Sequence, residues 1–133
     1  TSRKQVHWTV RFWNEQGRPS PWSAPATLET GLLDPADWTA SWIQGDRWGG
    51  PRTPCPAPHL RREFEVRPGL ASARLYVSAL GLHDTSINGR AASPGVFLPG
   101  WTDYRKRVCY HALDVTALLA PGPNCIGAVL GDG

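Results

Sequence analysis

The stretch that decides the fold is ARLYVSALGLHDTSINGR, residues 73–90, with LPGWTDYRKRVCYHALDVTALLAPGPNCIGAVLGDG, residues 98–133, after a short loop. In its first part Ala73, Leu75, Val77 and Ala79 alternate with Arg74, Tyr76 and Ser78. A period of two turns one set of side chains to a core and the other away, which predicts a half-buried strand over 73–80. His83–Ile87 reads as a weaker strand that ends in Asn88-Gly89. That dipeptide tolerates the positive φ values of a type I′ turn and so predicts a hairpin. Arg107–Leu113 alternates again, and Cys125–Leu130 is apolar almost throughout, as expected of a buried strand. Between them, Asp114 precedes Val-Thr-Ala-Leu-Leu, where its carboxylate can cap a short helical turn near 114–119. Pro121-Gly122-Pro123 ends that turn.

Working outward, the chain opens on a second strand pattern. Val6, Trp8, Val10 and Phe12 share one face, with His7, Thr9 and Arg11 on the other. A polar, Gly- and Pro-rich loop follows over 14–23, then a short strand at Ala26–Thr30. Two strands bury no core by themselves, so residues 1–31 read as the closing hairpin of a partial module. Leu32–Trp38 carries a tight turn near Pro35 with Asp34 as its cap. Trp38–Ile43 is expected to be the first strand of the next unit, 32–133. In Gln44–Pro58, Pro51, Pro54, Pro56 and Pro58 exclude a central strand or helix, and Leu60–Val66 resumes the alternation. Arg62 interrupts its apolar face, which points to an edge strand. The expected class is all-β: antiparallel sheets pressed together, with one helical turn.

With 133 residues there is room for one domain or pieces of two. A net charge of +3 comes from 14 basic and 11 acidic residues scattered along the chain. No basic stripe marks a nucleic-acid surface, and no run approaches a membrane helix. The chain opens without Met and without a charged-then-apolar leader, which we read as a missing N-terminus. Cys55, Cys109 and Cys125 show no CxxC spacing, so no metal site is expected. Cys109 and Cys125 read as small buried hydrophobes, and a bridge between them is left open. Nothing demands an oxidising compartment, which tilts the reading slightly to the cytoplasm over secretion.

Four blocks carry a resemblance: Leu80-Gly81-Leu82 with Ile87-Asn88-Gly89; Pro99-Gly100-Trp101-Thr102-Asp103-Tyr104-Arg105-Lys106-Arg107-Val108; Asp114-Val115-Thr116; and Gly122-Pro123-Asn124-Cys125-Ile126-Gly127 running to Gly131-Asp132-Gly133. Their order and spacing resemble the N-terminal β-sandwich of bacterial α-L-rhamnosidases of glycoside hydrolase family 78. The likeness extends upstream over Trp38–Ile43 and Leu60–Val66. Residues 1–31, with Ser20-Pro21-Trp22-Ser23 between two strands, look like the last hairpin of a fibronectin type III module. The resemblance implies a jelly-roll-like sandwich whose partners are a catalytic (α/α)6 barrel and other β domains of the same polypeptide. The family hydrolyses terminal α-L-rhamnosides with inversion, using residues in that barrel, so no catalytic residue carries over. Some members hold a calcium-dependent rhamnose-binding module near Gln44–Pro58; here the connection is too short for it. The pattern departs at His83, Ala91–Gly95, Cys109 and His111–Leu113, and the sandwich reads as unfinished at Gly133.

Seven tryptophans stand in this chain, and an aromatic face can stack on the apolar side of a sugar ring. Trp101 is the best-placed for that, with Asp103 and Tyr104 to contact hydroxyls. The plainer reading puts Trp101 in a core or a domain interface. Inverting glycosidases hold an acid and a base roughly 6.5–9.5 Å apart. Of the carboxylates, Asp114 and Asp34 look like caps and Glu63 and Glu65 like a solvated strand face; only Asp103 and Asp132 merit testing. His83-Asp84 is adjacent, and its side chains would point to opposite faces of a strand. The expected function is thus a non-catalytic accessory segment without cofactor. A stand-alone carbohydrate-binding or adhesion sandwich is the alternative, with L-rhamnoside as the ligand to try.

Overall fold

A computed structural model describes residues 1–46, 55–93 and 95–132. The centre of the proline-rich Gln44–Pro58 connection and Pro94 in the Ala91–Gly95 segment fall outside the described residues. The chain divides into two compact units, Thr1–Trp42 and Ile43–Gly133.

The first unit is an antiparallel hairpin of β1 (Gln5–Trp8) and β2 (Ala26–Glu29). The predicted strand over Val6–Phe12 ends four residues early. Beyond Trp8 the opposite chain carries Pro19, Pro21 and Pro25, which have no N–H for a ladder. Serine hydroxyls take over part of the pairing. Val10 N–H donates to Ser23 Oγ and Phe12 N–H to Ser20 Oγ, while Ser23 N–H and Ser20 N–H donate back to the Val10 and Phe12 carbonyls. Val6, Trp8, Val10 and Phe12 are exposed, as two strands leave them. The turn at Pro35–Asp37 is one 3-10 turn with the expected cap: Asp34 Oδ1 accepts from Ala36 N–H at 2.9 Å, and Asp37 Oδ2 accepts from Asp34 N–H. The expected strand over Trp38–Ile43 does not form, and Trp42 and Ile43 lie exposed.

In the second unit, β3 (His59–Val66), β5 (Leu82–Ile87), β6 (Arg90–Ala91) and β8 (Gly122–Gly131) form an antiparallel sheet in the order β3-β8-β5-β6. A second sheet pairs β4 (Arg74–Ser78) with β7 (Tyr110–Asp114). The Asn88-Gly89 turn joins β5 to β6 with φ values of 52° and 75°, the left-handed pair that a type I′ turn requires. β3 lies at the sheet edge, as Arg62 indicated. β8 starts earlier than predicted, at Gly122 with φ 92°, and accommodates Pro123 opposite Glu65 of the edge strand. β7 starts later than the alternation implied, because Asp103 holds residues 103–107 in a turn.

The interior departs most from expectation on β5. His83, Thr85 and Ile87 are its buried residues, so the weakly patterned strand alternates cleanly with two polar side chains facing inward. Asp84 is exposed, which confirms the opposite-face reading of His83-Asp84. Ala79 and Val115 are buried as well. A polar node ties the elements together. Asn124, only 3% exposed, accepts from Ala120 N–H and Asn88 Nδ2, and donates to the Ala120 and Gly122 carbonyls. Asn88 in turn donates to Leu118 O and accepts from Cys125 N–H. The 3-10 turn Thr116–Leu118 is fixed beside it. Asp114 Oδ1 accepts from Thr116 N–H, and its other oxygen pairs with Arg74 at 2.9 Å. Hydrogen bonds hold the Asp114 carboxyl below the usual carboxylate range, first from Thr116 and then from the nearby Arg74.

Candidate functional site

The sequence-predicted residues Trp101, Asp103 and Tyr104 sit together on the loop between β6 and β7, lining one wide, open concavity with Thr102 and Arg105. Gly100, at φ 101°, turns the chain into this loop, and Phe97 is held at φ 60° just before it. Such a backbone costs a bulky residue on the order of 1–3 kcal/mol and persists only where neighbours enforce it. Here the anchors are Leu98 O, which accepts from His83 N–H at 2.8 Å, and Tyr104 Oη, which accepts from Gly81 N–H at 3.0 Å.

These anchors sort the three residues. Tyr104 is half-buried and its phenol oxygen is used to hold the start of β5, leaving its own proton to donate. Asp103 is turned into its own loop: its carboxylate accepts from Arg105 N–H and Nε and pairs with Lys106 Nζ at 3.9 Å. Its carbonyl accepts from Lys106 N–H and Arg107 N–H. Trp101 is wide open, with 80% of its surface exposed. It is therefore not core in this chain. An exposed indole on a braced loop can stack on a flat apolar face, and Val96 and Phe97 nearby in sequence are exposed too. Asp103 and Asp132, the carboxylates singled out for testing, are both exposed loop residues. Among the described residues no three His, Cys, Asp or Glu side chains cluster as a metal site would require. Cys109 and Cys125 are half-buried and are not bridged to each other.

Two further features escaped sequence reasoning. The outer face of the four-stranded sheet carries a groove of about 320 Å3 over Gly127, walled by Arg61 and His59 on one side and Asp84 and Ser86 on the other. Cross-strand register alone brings these residues together, Arg61 and Ser86 both standing opposite Gly127. In the first unit the Arg11 guanidinium lies 4.8 Å from the Trp13 ring and 4.6 Å from the Trp22 ring, a cation held between two aromatics. The Ser-Pro-Trp-Ser pairing that places Trp22 was visible; its arginine partner was not.

Fold and site define an antiparallel β-sandwich region whose exposed aromatic loop is not accompanied by a built reaction centre among the described residues. Residues 69–133 match the family described as alpha-L-rhamnosidase N-terminal domain. Residues 1–34 match the family described as Rha78A-like, N-terminal immunoglobulin domain, an architecture that fibronectin type III modules share. An alpha-L-rhamnosidase of Alteromonas sp. (strain LOR) is 39% identical over 139 residues, covering 100% of this chain and 15% of that protein. Two solved structures are similar over nearly the whole chain. A native alpha-L-rhamnosidase from Aspergillus terreus superposes with a TM-score of 0.92 at 38% identity, covering 100% of this chain and 16% of that one. An alpha-L-rhamnosidase from Dictyoglumus thermophilum gives 0.90 at 35% identity, covering 99% and 16%. The chain belongs to the N-terminal region of the alpha-L-rhamnosidase family, and it spans about 15% of the length of the curated relatives it matches.

Proposed function

We propose that this chain is the accessory β region of a glycoside hydrolase that cleaves terminal α-L-rhamnosides with inversion, and that it performs no hydrolysis itself. Residues 1–31 serve as the closing hairpin of a fibronectin- or immunoglobulin-like module and 32–133 as the sandwich domain. Its partners are the catalytic (α/α)6 barrel and further β domains of the same polypeptide, against which it packs. The observation that carries the reading is the state of the loop: the Asp103 carboxylate pairs with Arg105 and Lys106 beside it, Tyr104 Oη accepts from Gly81 N–H, and Trp101 is 80% exposed. A glycosidase site needs two carboxyl groups free to exchange protons across a sugar.

The openness of Trp101 supports a second reading, in which the loop holds a rhamnoside by stacking, with Tyr104 as a donor. Titration calorimetry with L-rhamnose separates the two. A structural role gives no heat of binding. Heat that disappears in Trp101→Ala establishes the binding role instead.

A further inference from the structure

His83 is the one titratable side chain that is buried among the described residues, at 6% exposure, and the packing role of the sandwich makes no use of its chemistry. Its Nδ1 lies 2.9 Å from Thr85 Oγ1, a hydroxyl that is itself 1% exposed. Its Nε2 is buried without a hydrogen-bonding partner from the protein. Leu130 on β8 and Leu98 on the loop flank it across the strands, and neither side chain carries a charge. The titratable neighbours are His111 on β7, whose Nδ1 is also buried without a partner, and Asp84 on the same strand, which is exposed.

A neutral imidazole suits this place. The charged ring does not, because it carries two N–H donors and Thr85 Oγ1 can accept only one of them. The other donor would be left unpaired and the charge desolvated, both costly in a low-dielectric interior. Burial accordingly pushes the His83 ring below the ordinary histidine value of 6.5, and the neighbouring His111 pushes it further; Asp84 pulls weakly the other way.

The backbone of the same residue holds the aromatic loop. His83 N–H donates to Leu98 O, and two residues earlier Gly81 N–H donates to Tyr104 Oη. The loop thus hangs on the start of β5, and Phe97 at φ 60° is strained while it does so.

We propose that His83 is an acid-sensitive latch for the 96–107 loop. Neutral, it stays packed and keeps Leu98 bonded to β5. When a solvent proton is taken up on the ring, the buried position becomes untenable, the His83–Leu98 junction opens, and the segment that presents Trp101 is released.

The test is nuclear magnetic resonance on the whole chain between about pH 8 and about pH 5, the range over which an ordinary histidine changes charge. In the wild type, exchange protection of the His83 amide, corrected for intrinsic pH dependence, falls severalfold on acidification, and Trp101 resonances shift in step with the His83 ring. In His83→Gln, which has no titrating group, protection stays flat. Equal loss of protection in both proteins, or none in either, overturns the proposal. Should His83→Gln not fold, the wild-type ring decides alone. Titration below 6.5 in step with the loop supports the latch; titration at or above 6.5, or a loop that does not respond, overturns it.

Discussion

The polar node around Asn124 makes the sharpest stability prediction. Asn124→Ala removes four hydrogen bonds, two accepted at 3.0 and 2.8 Å and two donated at 2.7 and 2.8 Å. At about 1 kcal/mol net for each, the loss is about 4 kcal/mol. A domain of this kind has a total stability of roughly 5–15 kcal/mol, so the variant is left marginal. Urea unfolding followed by tryptophan fluorescence measures the change as a lowered midpoint at unchanged slope. The partner substitution is Asn88→Gly, which keeps the positive φ of the turn while deleting the amide. The two residues share one bond, so the double variant should be less destabilised than the sum of the singles by about 1 kcal/mol. A loss below about 1 kcal/mol for Asn124→Ala, or strict additivity of the pair, would refute the node.

Three further outcomes follow from the loop and the caps. Trp101→Ala changes stability by no more than about 0.5 kcal/mol, because the side chain is 80% exposed; urea midpoints check it, and a loss above about 2 kcal/mol shows the ring is packed after all. Tyr104→Phe deprives Gly81 N–H of its acceptor and costs about 1 kcal/mol by the same measurement, with faster exchange at the Gly81 amide. The pH profile has two limbs. The unfolded chain protonates His83 more readily than the folded one, so stability is full above 6.5 and declines as pH falls below it. The depressed carboxyls of Asp37, held chiefly by Ser2, and Asp114, held chiefly by Thr116, contribute stability above the ordinary value of 3.8 that is lost as pH falls through their lower folded values. Thermal melts across that range reveal both limbs in the wild type and only the acidic one in His83→Gln.

The alternating strands β3 and β4 formed close to where they were predicted, because apolar periodicity is a local signal that the sheet enforces. The Asn-Gly hairpin and the Asp34 cap were equally legible, since both depend on backbone chemistry within a few residues. What periodicity could not show was the inward set of β5. His83 and Thr85 look like a solvated face, and only the bond between them, with Leu98 and Leu130 flanking His83, explains their burial. The early end of β1 follows from prolines on the facing chain, a tertiary effect invisible along Val6–Phe12. Trp38–Ile43 has the residues of a strand, yet no strand forms over it. Of the candidate site, the clustering of Trp101, Asp103 and Tyr104 was legible because they are nearly consecutive. The internal use of Tyr104 was not, since its partner Gly81 lies far back along the chain. The Gly127 groove depends wholly on register between β3, β8 and β5.

The most direct test of the account is to incubate the purified chain with an aryl α-L-rhamnoside and measure released phenol against a buffer control. With Asp103 tied into its own loop, release should equal the control at every pH tried. Turnover that scales with protein concentration and survives repurification would contradict it.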